Sequence, residues 1–159
     1  MKKTLFVLLT IMVLAGCGRR EVVFVGTHET TWGSVGVAAG WKAEPVNKSD
    51  VNLYSIEEHN VKLTIRLLPF PKDLAGYIEG QAKLTGREFV GSEDVELGGG
   101  EAKKFRMKAV YAKLNLIEDL YAVKIGDQLL SILVSVPEES MTGYQAEQVA
   151  NSVRWNGGK

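Results

Sequence analysis

Apolar and polar residues alternate most cleanly in Val61-Lys62-Leu63-Thr64-Ile65-Arg66-Leu67-Leu68, which puts Val61, Leu63, Ile65 and Leu67 on one face. A period of two over eight residues predicts a half-buried strand. Before it, short runs of Val, Trp, Tyr and Thr are interrupted by Gly33, Gly36, Gly40, Pro45 and Asn47-Lys48-Ser49-Asp50. This strand-and-turn grammar predicts strands over 34–37, 41–46 and 53–58. The apolar run 22–25 ahead of them is expected to seek burial. Pro69-Phe70-Pro71 stops the alternating strand, and Asp73 is placed to cap a helix in which Leu74, Tyr77, Ile78 and Leu84 recur at helical spacing. Gly76 and Gly80 weaken that helix by roughly 1 kcal/mol each relative to alanine, so it must rely on packing. Gly86 is its expected stop.

Downstream, the pattern returns to period two in four segments, 87–95, 102–111, 116–125 and 128–136. They are separated by Gly98-Gly99-Gly100, Lys113-Leu114-Asn115 and Gly126-Asp127. Connections this short join antiparallel neighbours. Pro137 closes the last strand. A second helix is predicted over 141–153 with Ala146, Val149, Ala150 and Val153 as its inner stripe, and Trp155 is expected to pack just beyond.

This order includes Gly40-Trp41 early, a helix in mid-chain, a meander, and a terminal helix ending Asn151-Ser152-Val153-Arg154-Trp155. It resembles the PsbP-like fold, whose members include an extrinsic photosystem II subunit and the DcrB-like bacterial lipoproteins. The resemblance covers about residues 22–156. It implies an α+β fold with a central antiparallel sheet and helices packed on both faces, and a role in binding or assembly instead of catalysis. A two-layer arrangement with both helices on one face satisfies the same element order.

The first stretch, MKKTLFVLLTIMVLAGCG, has Lys2 and Lys3 ahead of an apolar run and then small residues, the layout of a secretory signal. A permanent span needs about 20 apolar residues, and this run is well short of that. Leu14-Ala15-Gly16-Cys17 is similar to the lipobox of bacterial lipoprotein signals. That resemblance implies cleavage after residue 16 and a diacylglycerol thioether on Cys17. It divides the chain into a signal peptide (1–16), a lipidated N-terminus with a short tether (17–21) and one domain (22–159). The expected partners are the lipid bilayer, through acylated Cys17, and an envelope protein. The expected location is the cell membrane or the outer membrane, facing the periplasm or exterior; Gly18 in place of aspartate fits an outer-membrane lipoprotein in a diderm host.

The chain carries 19 basic and 19 acidic side chains, and loss of Lys2 and Lys3 with the signal leaves a slight acidic excess. Such balance gives no reason to expect nucleic-acid binding. Cys17 is the only cysteine, which excludes a disulfide framework, a cysteine nucleophile and a thiolate metal site in the acylated protein.

Candidate chemistry beyond Cys17 is sparse. His28-Glu29 with Glu57-Glu58-His59 supplies metal-ligand residue types, but at no recognised spacing, and polar turns explain them equally well. Gly98-Gly99-Gly100 has strands on both sides where a phosphate loop needs a following helix. Ser34 in Trp32-Gly33-Ser34-Val35-Gly36 lacks the first glycine of a nucleophile elbow. Ser131 and Ser135 fall within a predicted buried strand. Trp41 and Trp155 read as core, and Trp32 is open to either a groove or the core. Arg66, Arg87, Lys103, Lys104, Arg106 and Lys108 form a basic face only if adjacent strands align them. No catalytic residue, metal or cofactor is assigned. The leading expectation is a membrane-anchored, non-catalytic binding or assembly module, ahead of a small-ligand or metal carrier and of an envelope hydrolase.

Overall fold

The computed structural model describes residues 21–156; Cys17 and the signal lie outside them. In chain order the elements are β1 (Phe24–Glu29), β2 (Gly33–Ala38), β3 (Trp41–Pro45), β4 (Val51–Ser55), β5 (Lys62–Pro69) and α1 (Leu74–Leu84). They continue with β6 (Glu88–Leu97), β7 (Gly100–Tyr111), β8 (Leu114–Ile125), β9 (Gln128–Pro137), α2 (Gly143–Asn151) and β10 (Arg154–Trp155). Seven strands form one antiparallel sheet in the order β3-β4-β5-β9-β8-β7-β6, and β1-β2-β10 form a small second sheet. The fold is mostly antiparallel sheet with two helices.

The meander follows the sequence closely. β7 and β8 pair from Lys103 opposite Ala122 to Tyr111 opposite Leu114, and β8 and β9 from Leu116 opposite Pro137 to Ile125 opposite Gln128. The first turn uses Gly98 and Gly99, with positive φ of 59° and 85°, and Gly100 already belongs to β7. The next hairpin turns on Ala112 and Lys113, which adopt φ of 48° and 70° without being glycine. Left-handed conformations at both central residues are those of a tight hairpin turn.

Consecutive residues on a strand face opposite ways, and β9 divides its neighbours between two apolar clusters. Leu130, Ile132 and Val134 join the main cluster with Leu63, Ile65, Val123 and, from α2, Ala146, Val149 and Ala150. Leu129 joins a second cluster with Phe105, Ala122 and, from α1, Ile78. Trp32 and Trp41 are buried in the main cluster. Their indole N–H groups donate to Ser49 O (2.7 Å) and Gln145 Oε1 (2.9 Å), as buried tryptophans require.

Four expectations are corrected. The run 22–25 is not swallowed by the core: Val22 packs against it, but Val23, Phe24 and Val25 are exposed, because β1 pairs only with β2 at the edge of the small sheet. The inner stripe of α1 is Ile78 and Ala82, whereas Tyr77 and Leu84 are exposed. The strand placed at 53–58 is Val51–Ser55, with Glu57 and Glu58 in the turn that follows. The second helix is shorter than 141–153 at both ends, and Arg154 and Trp155 form a strand opposite Ser34 and Gly33.

Candidate functional site

Strand register builds the most distinctive surface. On one face of the large sheet, Lys42 lies opposite Tyr54, Tyr54 opposite Lys62, and Lys62 opposite Ser135. The same row continues through Glu118 and Met107 to Phe89. The neighbouring row runs Glu44, Asn52, Thr64, Leu133, Leu120, Phe105. Each row changes character at β9. Phe105, with Phe89 and Leu120 packed nearby, is covered together with Ile78 of α1, and Met107 is buried. Across β3, β4 and β5 the same face stays polar and accessible to solvent. An eleven-residue helix covers only part of a seven-stranded sheet.

The accessible half is organised by Tyr54. Its hydroxyl donates to Glu44 Oε1 (2.7 Å), and Lys42 Nζ donates to the same oxygen (2.8 Å) while lying 5.8 Å from the Tyr54 ring centre. The other side of Tyr54 meets the His59 ring, 6.0 Å between centroids. Hydrogen bonding to Glu44, then to Tyr54, raises Lys42 to about 12. The Lys42 bond, then the Tyr54 bond, lowers Glu44. Both charges therefore persist across the physiological range, on a surface where Tyr54 stands between Lys42 and Lys62, with Arg66 on the same face four residues beyond Lys62.

At the seam sits a buried carboxylate. Glu118 accepts from Arg87 Nε at short range and from Ser135 Oγ at 3.0 Å. Glu118 and Ser135 are buried while Arg87 is part-exposed. A buried carboxylate is tolerated only when paired and hydrogen-bonded. The cluster therefore reads as the clamp that holds the α1–β6 connection to the sheet.

Other sequence candidates come apart. Glu58 accepts from Ser140 Oγ, from Thr142 Oγ1 (2.7 Å) and from the Met141 N–H (3.2 Å). The Ser140 bond foremost, then that of Thr142, lowers its carboxyl from the ordinary value. It thus braces the start of α2. His28 lies on β1, opposite Val35, and no group of three ligand residues gathers among the described residues.

Four of the six basic candidates, Arg87, Lys103, Lys104 and Arg106, are matched by acids. Arg106 grips Asp119 through two bonds of 2.8 Å. Lys104 lies 3.5 Å from Asp119 and 3.3 Å from Glu93, and Lys103 lies 3.9 Å from Asp94. Beside them, burial raises the Tyr121 hydroxyl well above its ordinary value. An open cleft of about 1060 Å³ lies between Val95, Ala102, Val123 and Trp155. Every buried side-chain polar atom among the described residues has a partner.

Sequence reasoning missed Glu118, Glu44 and Tyr54 as members of one surface. A glutamate between Leu116 and Leu120 was the available signal for the first. The other two become neighbours only through register.

No family model matches the sequence, and no curated protein matches it. Solved structures do. The chain is similar to the cyanobacterial PsbP of Synechocystis sp. PCC 6803, with a TM-score of 0.59, 14% identity, and coverage of 90% of this chain and 99% of that one. A Bacteroides thetaiotaomicron protein gives a TM-score of 0.54 at 12% identity over 77% of this chain and 44% of its own. The Saccharomyces cerevisiae Ran-binding protein Mog1p gives 0.50 at 16% identity over 75% of this chain and 80% of its own. The fold expected from the order of elements is therefore PsbP-like.

Proposed function

We propose that the chain is a bacterial envelope lipoprotein, anchored through an acylated Cys17, whose DcrB-like domain is a non-catalytic binding or assembly module. The observation that carries this reading is the uncovered polar half of the large sheet, where Tyr54 lies among Lys42, Glu44 and Lys62, and Arg66 stands farther along the same face of β5. An aromatic ring with fixed charges around it suits a polar protein surface. One solved structure of similar fold is named for binding Ran, which fits a scaffold used for protein partners. The clean partition of Leu129 and Leu130 between the clusters of α1 and α2 supports helices on opposite faces of the sheet. The lipobox residues carry the anchor, and among the described residues no helix is long and apolar enough to cross a membrane.

Hydrolase chemistry finds little support. Ser135 donates to Glu118 with no imidazole beside it, and the two histidines, His28 and His59, lie on β1 and against Tyr54; a triad needs serine, base and orienting group together. A small-ligand carrier would use the cleft at Trp155, which is open to solvent, whereas ligand pockets bury most of their ligand.

A photo-crosslinking side chain placed at Tyr54 or Arg66 in membranes should yield a discrete protein adduct that the same group at Glu79, on α1, does not. Equal labelling at all three positions would reject this face. Mass spectrometry of the mature N-terminus tests the anchor separately, and a free Cys17 thiol would reject it.

A further inference from the structure

Exposed large apolar side chains gather at one end of the domain. Val23, Ile56, Val110, Tyr111, Leu114 and Met141, half of the exposed large apolar side chains among the described residues, stand there; Phe24 and Val25 of β1, Tyr77 and Leu84 of α1 and Val90 of β6 are exposed along the elements, and Val46 at the opposite end. Their loops are stitched together: Ala39 N donates to Val23 O (2.7 Å), Ile56 N to Gly40 O (2.8 Å) and Glu138 N to Asn115 O (3.0 Å). Met141 N donates to Glu58 Oε1 (3.2 Å). The hairpin tip is the most prominent part, with Val110 72% and Tyr111 70% exposed, and Met141 is 85% exposed. Apolar side chains concentrated at one end call for a covering surface.

The chain leaves the fold at this same end. Val23, beside Ala39, lies next to residue 21, where the described structure begins. Three residues, Gly18, Arg19 and Arg20, separate Glu21 from Cys17, and the four residue steps between them reach at most about 14 Å when extended. We infer that this end of the domain docks on the lipid bilayer itself, with the Val110-Tyr111-Ala112-Lys113-Leu114 tip and Met141 entering the headgroup region. The inference rests on the lipoprotein reading.

The tether length selects a bilayer over a protein as the occupant, because acylated Cys17 would leave little room for another domain beneath this end. The chemistry agrees. Tyrosine favours the membrane interface, where its ring is apolar-solvated and its hydroxyl wet. Lys113 at the tip can lay its stem along the apolar layer and keep its ammonium among phosphates. Arg19 and Arg20 in the tether add attraction to an anionic leaflet. Contacts too weak to hold a free protein suffice once the lipid has made them intramolecular. Because the strands run from this end to the other, docking stands the large sheet upright. The Tyr54 face then looks sideways, toward neighbours in the same membrane.

The test uses the full acylated chain in vesicles of phosphatidylethanolamine with a quarter phosphatidylglycerol. Tyr111→Cys, Met141→Cys and Val46→Cys, all exposed positions, are each labelled with an environment-sensitive fluorophore; the thioether at Cys17 leaves the new thiol as the sole target. Lipids spin-labelled near the headgroup should quench the label at 111 and 141 several-fold more than at 46. Equal quenching at all three positions, with Cys17 acylated, overturns the docking and leaves the anchor intact. A label at 111 protected from iodide in water yet untouched by the lipid quencher also overturns it and identifies a protein cover instead. A free Cys17 thiol removes the premise of both.

Discussion

Thr142 Oγ1 donates a 2.7 Å hydrogen bond to Glu58 Oε2, across more than half the length of the chain. Thr142 is the residue before α2, but its own side chain makes no capping bond to the helix. Glu58, from the turn after β4, gathers it together with Ser140 and the Met141 N–H. A carboxylate from elsewhere in the fold thus fixes the approach to α2.

Glu58→Ala should therefore lower unfolding stability by about 1 kcal/mol, the usual size of a lost helix cap. Glu58→Gln should recover part of that loss. The Glu58 carboxyl lies below its ordinary value of 4.5 in the fold, so its contribution is present above that value and fades as pH falls through the folded one. Urea titrations should show wild type and Glu58→Ala well separated at neutral pH and converging under strong acid.

Arg87→Ala strands the Glu118 carboxylate in a buried place, with Ser135 as its remaining partner. Breaking a buried pair from one side costs about 3 kcal/mol, whereas replacing both partners with apolar groups can be close to neutral. Arg87→Met combined with Glu118→Leu should thus be more stable than Arg87→Ala. A double-mutant cycle by chemical denaturation reads the coupling directly.

Gly98 and Gly99 both have positive φ, but they are not equivalent. A Cβ at Gly98 would strike the Val153 carbonyl oxygen, whereas at Gly99 nothing lies within 4 Å. Gly99→Ala should cost about 1 kcal/mol from left-handed strain alone. Gly98→Ala should cost clearly more, seen as the lower of the two melting temperatures.

The Ala112-Lys113 turn points the other way. Both residues hold left-handed φ, where Asn-Gly is the preferred pair. Ala112→Asn with Lys113→Gly should raise stability by about 1 kcal/mol, measured by thermal unfolding. The same change removes the Lys113 cation from the hairpin tip, so the acylated double variant should show weaker lipid quenching at a label on residue 141.

The strands and helices were largely legible because their signals are local. Val61 to Leu67 alternate, Asp73 caps α1 through the Gly76 N–H, and Ala146, Val149, Ala150 and Val153 sit at helical spacing and are all buried. Expectations failed where burial depended on a third layer. Residues 23–25 look like core but edge a small sheet, and Tyr77 and Leu84 fit a helical stripe that packs instead through Ile78 and Ala82.

The sequence by itself determined the antiparallel meander and the two helices, and it offered the export signal and the lipobox at Cys17 as expectations, since each rests on residues within a few positions of one another. Only the tertiary structure decided that Glu58 braces α2, that Arg87 neutralises Glu118, and that Tyr54, Lys42 and Glu44 share a surface with Lys62 and Arg66. It also decided that one end of the domain carries the apolar tips beside the start of the tether. Those relations depend on strand register and on which sheet face a helix leaves uncovered, and a side chain's neighbours across a sheet are set by pairing between segments far apart in the chain.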